Sequence, residues 1–479
     1  GKIDIGGGND PDVDVDQIVG SDAGKTPLLE DPQGRISFSV PAKGDLNSPE
    51  FDYFRLIGQV FRNFFMKLVT KPFSMLASIA GITFGNLPLN PAVVAQRMFT
   101  SADSFPFMAI PFFMLAGGLM EHGGISRRLV KLASALVGGY RGGLGLITIL
   151  ASAFFGAISG SNPATVAAIG GIMVPSMIKK GYPPAFAASI AAAGGTLGVV
   201  IPPSIPMITF GVVAGVSIGD LFLAGFGPGV LLALVLSLVV VMQSIKLDIP
   251  KEPAREKGEL LAAVKDSILA IIMPVIILGG IYGGVFTPTE AGAVAVIYSL
   301  LVSAFIYEEL DLRTIRTVII KAGISTSVVF FVIATSQSMS WLITVSRVSA
   351  ELAAWIVSVS SNPFVLVTMI NFILLFLGVF LETQAIILLM APLLLPITAS
   401  IGMNPLMLGI IMVVNTSVGM ITPPMAVNLF VAVSLVKDHN VRIEQITRKI
   451  LGFLAAELIA IMLISNFPVL SLGLVQLLK

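Results

Sequence analysis

Gly195-Thr196-Leu197-Gly198-Val199-Val200-Ile201-Pro202-Pro203 interrupts an apolar stretch that runs from about residue 186 to 216. A plain membrane-spanning helix would be unbroken there. Proline has no backbone N–H and clashes with the preceding turn, and glycine favours unwinding. Two adjacent prolines flanked by glycines therefore predict a helix broken at membrane depth. Freed N–H and C=O groups at that depth are tolerated only where protein or a water-filled cavity satisfies them. The same device recurs in Asn415-Thr416-Ser417-Val418-Gly419-Met420-Ile421-Thr422-Pro423-Pro424. A pair of Gly/Pro-interrupted apolar segments in matching halves points to a transporter binding site.

The two breaks are parts of one internal repeat. Gly198 and Gly419, Pro202 and Pro423, and Pro203 and Pro424 are each separated by 221 residues. At that offset Pro175 also meets Pro396, Gly181 meets Gly402, and Pro184 meets Pro405. From the Gly and Pro frequencies, about 0.4 such identities would arise by chance over this window, so the six observed mark a duplication.

Composition sets the class. The chain is 55% hydrophobic and 12% charged, with a mean hydropathy of +0.93. A soluble chain carries about 25% charge, so this is an all-α polytopic membrane protein. There are no cysteines, which removes disulfides, thiol catalysis and thiolate metal sites. His122 and His439 stand alone, so no histidine-based metal centre or catalytic nucleophile is expected. An intramembrane protease would need a His–Glu metal motif or a Ser–His pair at membrane depth, and neither occurs. No cofactor is expected, and nothing marks a nucleic-acid partner.

Residues 1–50 carry ten acids and four bases and lack apolar periodicity, which reads as a polar acidic tail, disordered or a linker. Two motifs there fail on spacing. Gly20-Ser21-Asp22-Ala23-Gly24-Lys25-Thr26 is one residue short of a phosphate loop and follows no apolar strand. Asp10, Asp12, Asp14 and Asp16 alternate like the start of a calcium loop, but Val15 stands where the glycine must be.

The first repeat spans 51–245. It has apolar spans near 73–87 and 105–120 and a basic amphipathic piece at 126–139. A re-entrant hairpin follows at about 143–178, then the broken helix at about 183–216 and a span at 221–245. A charged loop, 246–265, separates the halves. The second repeat, 266–479, has spans at 268–285 and 291–306, a basic amphipathic piece at 313–321, and a span at 327–345. Its hairpin lies at about 363–400, its broken helix at about 404–436, and a last span at 450–474. Hairpins are expected because each apolar run is interrupted at its middle, at Gly156–Pro163 and Gly378–Gln384, by turn residues. Placing every large basic cluster on the cytoplasmic side makes the first hairpin open from the cytoplasm and the second from the opposite face. The repeats are then inverted, the architecture of alternating access.

Each hairpin tip is expected to meet a broken helix near the midplane. Unwound carbonyls suit a hard cation such as Na⁺, and half-helix N-termini suit a carboxylate. Ser159, Asn162, Gly198 and Ile201 are the candidate sodium residues of the first junction, and Gly378, Gly419, Thr422 and Met425 those of the second. Ser161, Thr196, Ser204, Glu382, Thr383, Asn415 and Asn428 are candidate substrate residues. Glu382 stands out, because an intramembrane acid is costly and therefore functional by default; it suits a cation ligand or a proton carrier. Glu290 is expected to cap or pack a span end. Glu121, Asp220 and Glu457 fall near expected span ends and read as solvated, and Trp341 and Trp355 as interfacial.

From about residue 87 to 474 the chain resembles the large, DctM-like membrane subunit of tripartite ATP-independent periplasmic (TRAP) transporters. The matching stretches include Val93-Val94-Ala95-Gln96-Arg97-Met98-Phe99, Asp103-Ser104-Phe105-Pro106, Ile201-Pro202-Pro203-Ser204-Ile205-Pro206-Met207 and Phe286-Thr287-Pro288-Thr289-Glu290-Ala291. The resemblance implies a secondary active transporter subunit and not an enzyme. It implies a bacterial inner-membrane permease that works with a small, DctQ-like membrane subunit and a periplasmic, DctP-like binding protein. Such a permease imports an organic acid, a carboxylate or a sugar acid such as sialic acid. The import is driven by Na⁺, with H⁺ as the alternative coupling ion, through an elevator movement of the hairpin-bearing domain. Arg97 and Asp103 are then expected to face the periplasm and dock the binding protein. The alternative is a self-sufficient anion carrier or antiporter of the same architecture.

Overall fold

The computed structural model describes residues 42–43, 50–51 and 92–478, apart from 138, 250, 252–257, 346–361 and 424–425. The expected span at 73–87, Trp355 and the candidate sodium residue Met425 lie outside the described residues. Two units are distinguished, Gly1–Leu89 and Asn90–Lys479. In the first, a two-residue antiparallel ladder pairs Ala42 with Phe51 and Lys43 with Glu50.

The second unit is all-α. Its helices are α1 (Ala92–Ala102), α2 (Ala109–His122), α3 (Ile125–Val137), α4 (Gly143–Ser159), α5 (Asn162–Lys179), α6 (Pro184–Gly194), α7 (Leu197–Val200), α8 (Ile205–Ala214) and α9 (Ile218–Lys246). They continue as α10 (Glu259–Tyr282), α11 (Pro288–Leu301), α12 (Leu312–Val345), α13 (Pro363–Phe380), α14 (Thr383–Ser400), α15 (Pro405–Gly419), α16 (Val427–Ser434), α17 (Ile443–Asn466) and α18 (Val469–Leu478). Among the described residues, nine apolar helical stretches are long enough to cross a membrane, so the protein is multi-pass.

The first hairpin and both broken helices form where glycine and proline demand them. In the first hairpin, α4 ends on Gly160 in the left-handed conformation (φ 58°), where a side chain would be strained. Ser161 then turns extended, and Pro163 occupies the first turn of α5, where its missing N–H costs nothing. The second hairpin turns without glycine, through extended Leu381 and Glu382 between α13 and α14. The first broken helix runs α6–α7–α8, with Ile201 extended ahead of Pro202 and Pro203. Ser204 caps α8 by accepting from the Met207 N–H at 3.4 Å. The second runs α15–α16, and the Asn428 N–H reaches back across the break to the Met420 carbonyl at 3.0 Å.

Burial separates an inner group of helices from an outer one. The most apolar window of Pro184–Ala214 is 78% buried, against 17% for Leu312–Trp341. The broken helix thus sits where protein surrounds its loosened backbone, as the absence of water in a bilayer demands. Ala187, Ala188, Ala191, Ala192 and Ala193 line it and are all but fully buried. Small side chains let backbones approach closely, which supplies the packing that drives helix association in lipid. On α9, Leu232, Leu236, Val239 and Val240 turn inward, while Val230, Leu234, Leu238, Met242 and Ile245 form an exposed lipid-facing row.

Three details depart from the sequence-based expectations. The basic piece at 313–321 is not separate, because α12 runs unbroken from Leu312 to Val345. No proline interrupts it, and Asp311 caps its start by accepting from the Thr314 N–H at 2.8 Å. The last span stops early: α17 ends at Asn466 and α18 begins at Val469, with Pro468 between them unable to continue the ladder. Glu457 is not at a span end. Because α17 begins at Ile443, Glu457 lies in its interior and is 0% exposed.

The basic amphipathic helix α3 is tied to its neighbours by charge. Arg128 donates to Glu309 at 2.8 Å and lies 3.4 Å over the Tyr307 ring, and Arg127 also pairs with Glu309. Lys131 meets Asp266 of α10 at 2.8 Å.

Candidate functional site

The two hairpins approach the two breaks through glycine. A Cβ on Gly156 would sit 2.8 Å from the Leu197 carbonyl oxygen, and one on Gly198 would sit 2.6 Å from the Ser161 carbonyl oxygen. In the second repeat, a Cβ on Gly419 would lie 2.5 Å from the Gly378 carbonyl carbon and 2.6 Å from its Cα. Real Cβ atoms do not come so close to backbone, so each junction requires glycine on the broken helix. The backbone of each hairpin is thereby pressed against the break it faces.

The two tips then meet each other. Ser161, Asn162, Glu382 and Thr383 line one small cavity of about 60 Å³, together with Gln384 and Met420. Ser161 and Glu382, and Asn162 and Thr383, are equivalent positions at the 221-residue offset. A second cavity of about 250 Å³ adjoins it between α2, the first hairpin and α12, sharing Met114, Ser161 and Ile205. Glu121, His122 and Lys321 stand on its wall.

Hydrogen bonds cross between the repeats at the same level. The Ser417 hydroxyl donates to the Thr196 carbonyl at 2.6 Å, and Asn162 Nδ2 donates to Ser417 Oγ at 2.7 Å. Thr209 of α8 donates to Gln384 Oε1 at 2.6 Å. The tip of each hairpin is thus bonded to the broken helix of the other half. Among the described residues no cluster of three His, Cys, Asp or Glu side chains is placed to hold a metal.

The candidate substrate residues divide into two sets. Ser161, Glu382 and Thr383 face the shared cavity. The others are engaged behind it: Ser204 caps α8, and the Thr196 hydroxyl lies 2.5 Å from Glu457 Oε1. Asn415 Nδ2 donates to Asn371 Oδ1 at 2.9 Å, and Asn428 Nδ2 to the Ala192 carbonyl at 3.3 Å.

Of the candidate sodium residues, Asn162, Gly198, Gly378 and Gly419 lie at the junctions. Ser159 bonds Thr165 at 3.0 Å, and Thr422 bonds the Val418 carbonyl at 2.9 Å within its own break. Ile201 packs on Gly229 of α9, where a Cβ would come within 2.6 Å of it. Arg97 and Asp103 are exposed, and the Arg97 guanidinium stacks 4.9 Å from the Trp341 ring centroid.

Sequence reasoning missed Gln384, Asn371 and Ser465, and it read Glu457 as solvated near a span end. Gln384 directly follows a candidate, and Asn371 is an isolated amide in an apolar run, so both carried a signal. The Ser465 hydroxyl donates to Asn371 Oδ1 at 3.0 Å, a contact that no sequence pattern announces.

The family model of the tripartite ATP-independent periplasmic transporter, DctM component, matches residues 55–470. The chain belongs to this family. It is a TRAP transporter large permease, a non-enzymatic membrane subunit. It is 39% identical over 381 residues to the C4-dicarboxylate TRAP transporter large permease protein DctM of Pseudomonas aeruginosa, covering 80% of this chain and 88% of that one. It is 41% identical over 394 residues to the isethionate TRAP transporter permease protein DctMQ of Oleidesulfovibrio alaskensis. That match covers 82% of this chain but 61% of the longer relative. The 2,3-diketo-L-gulonate TRAP transporter large permease protein YiaN of Escherichia coli is 39% identical over 332 residues, covering 69% of this chain and 78% of its own. Among solved structures, the YdaH transporter of Alcanivorax borkumensis superposes with a TM-score of 0.58 at 14% identity, covering 78% of this chain and 87% of that one. This likeness concerns the fold of the permease.

Proposed function

We propose that this permease imports an organic acid by sodium symport, with an elevator movement of its two hairpins and two broken helices against α2 and α12. The observation that carries the proposal is the convergence of both hairpin tips on one cavity beside both helix breaks. Relatives named for C4-dicarboxylates, isethionate and 2,3-diketo-L-gulonate share anionic substrates, so the solute is taken to be a small carboxylate or a similar acid. The charge balance favours cation coupling. A substrate anion entering the cavity brings a negative charge into a low dielectric, where it is costly unless an opposite charge is close. Cations held at the Gly198 and Gly419 junctions would offset that cost and make solute binding depend on sodium.

Two further points support inverted repeats. Thr196 touches its own repeat equivalent, Ser417, as happens where a two-fold axis passes between related segments. The basic clusters Lys179-Lys180, 246–265, 313–321 and Lys437 to Lys449 share one face in an inverted arrangement, and that face is the cytoplasmic side of a bacterial inner membrane. In keeping with its family, the permease is proposed to receive solute from a periplasmic binding protein and to require a small membrane subunit.

The test is uptake into proteoliposomes holding this chain and its small subunit, under an imposed sodium gradient, with and without a binding protein. Uptake that needs both the gradient and the binding protein is expected. Uptake with the gradient alone would identify a self-sufficient carrier, and uptake indifferent to sodium would sink the coupling.

A further inference from the structure

Glu457 is a fully buried carboxyl that lines neither the cavity nor the glycine contacts of the two junctions. Its Oε1 lies 2.5 Å from the Thr196 hydroxyl, and its Oε2 has no hydrogen-bond partner among the described residues. The same hydroxyl lies 2.7 Å from the Ala193 carbonyl. A threonine hydroxyl has one proton and so donates to one acceptor. Were Glu457 ionised, Thr196 would have to abandon either the carbonyl or the carboxylate, and Oε2 would remain a buried charge without a partner. That costs several kcal/mol in a protein interior.

Were Oε1 protonated, it would donate to Thr196 Oγ1, and Thr196 would donate to Ala193. Every proton would then be placed, and the one unpartnered atom would be a neutral carbonyl oxygen, which interiors tolerate more readily.

Among the described residues no counter-charge alters this bookkeeping. The helices packed against α17 are α6, α9, α13, α15 and α16. Four of them contain no titratable residue, and α9 carries only Asp220 and Lys246, at its two ends. On α17 itself the nearest charge is Lys449, eight residues away, about 12 Å along the axis at ~1.5 Å per residue. The chemistry of the site is therefore that of an un-ionised acid bonded to a hydroxyl.

What Glu457 holds is the residue on which the first junction turns. The Thr196 carbonyl accepts from Ser417, which in turn accepts from Asn162 of the first hairpin tip. Two residues on, Gly198 lies against the Ser161 carbonyl. We propose that Glu457 is a positioning residue for the first cation site, a permanently protonated acid that pins the first helix break through Thr196. This rests on the sodium reading given above, and it adds that the Glu457 proton stays in place through the transport cycle.

Three variants of the assembled complex test it: Glu457→Gln, Glu457→Leu and Thr196→Val. The glutamine amide donates to Thr196 as the neutral acid does. Glu457→Gln should therefore keep the half-saturating sodium concentration within about threefold and leave the pH profile of uptake unchanged. Glu457→Leu should raise that concentration about tenfold, the scale of one buried hydrogen bond. Thr196→Val removes the same bond from the other side and should do likewise, which keeps the test alive if the leucine variant does not fold. Infrared hydrogen–deuterium difference spectra of wild type against Glu457→Gln should show a protonated carboxyl band that persists at neutral and mildly alkaline pH.

A band that titrates away near neutrality would overturn the proposal. So would a folded Glu457→Gln complex without sodium-driven uptake, or unaltered sodium dependence in both Glu457→Leu and Thr196→Val. If wild-type uptake ignored sodium, the cation site itself would fall, while the infrared band would still decide whether Glu457 keeps its proton.

Discussion

The two hairpin–break junctions solve one geometric problem with different chemistry. In both, a glycine of the broken helix admits the backbone of a hairpin arm, Gly198 beside Ser161 and Gly419 beside Gly378. Behind the first junction stands a carboxyl, Glu457, on the Thr196 hydroxyl. Behind the second stands an amide network, in which Asn415 and Ser465 both donate to Asn371 Oδ1. Backbone approach is fixed by steric exclusion and recurs at both junctions, although the hairpin residue that each glycine meets differs. The polar groups that brace it need only fill their hydrogen bonds, so the two halves have diverged in them.

The largest effect should come from filling the backbone contact. Gly419→Val would put a Cβ 2.5 Å from the Gly378 backbone. Overpacking against a backbone that cannot move aside costs about 1–3 kcal/mol or more. Sodium-driven uptake should fall at least roughly tenfold per 1.4 kcal/mol in a complex that still elutes as a single species. Gly378→Ala should be milder, because its nearest contacts, the Thr416 and Gly419 Cα atoms at 3.1 and 3.2 Å, need give way much less than the 2.5 Å contact of Gly419. Equal losses for Gly419→Ala and Gly378→Ala would break this ordering.

Next comes the amide network. Asn371→Leu takes the acceptor from Ser465 and one of two acceptors from Asn415 Nδ2, which keeps the Ile411 carbonyl, and should lower stability by about 2 kcal/mol, as read by thermal unfolding of the purified complex. Its half-saturating sodium concentration should stay near wild type, in contrast to Glu457→Leu. A large shift in sodium dependence would show that the second brace also positions a cation.

A smaller loss, about 1 kcal/mol, is expected for Thr209→Val, which removes the hydroxyl that donates to Gln384 Oε1 between α8 and the second hairpin. The readout is the same unfolding assay. Smallest of all is Glu290→Ala. It opens the capping box in which Glu290 Oε2 accepts from the Thr287 N–H at 2.8 Å, away from both junctions. The loss of stability should be the smallest of the series, with transport kinetics unchanged.

The sequence alone determined the membrane class and the places where the apolar helices turn and break. Glycine and proline act through the backbone, and their consequences are local, so Gly198, Pro202, Gly419 and Pro423 could be read without a partner in sight. The capping role of Glu290 was legible for the same reason, since Thr287 is three residues away. The tertiary structure decided which hydroxyls and amides face the shared cavity and which serve as braces. Ser161 and Thr196 are equally polar in the sequence, yet one lines the meeting point of the two tips and the other turns toward Glu457. The Thr196–Glu457 contact joins residues 261 apart, and no local preference encodes it. Glu457 looked like a span-end residue until the length of α17 put it in the protein interior. A side chain's role there depends on which helix packs against it, and that is settled only when the whole bundle closes.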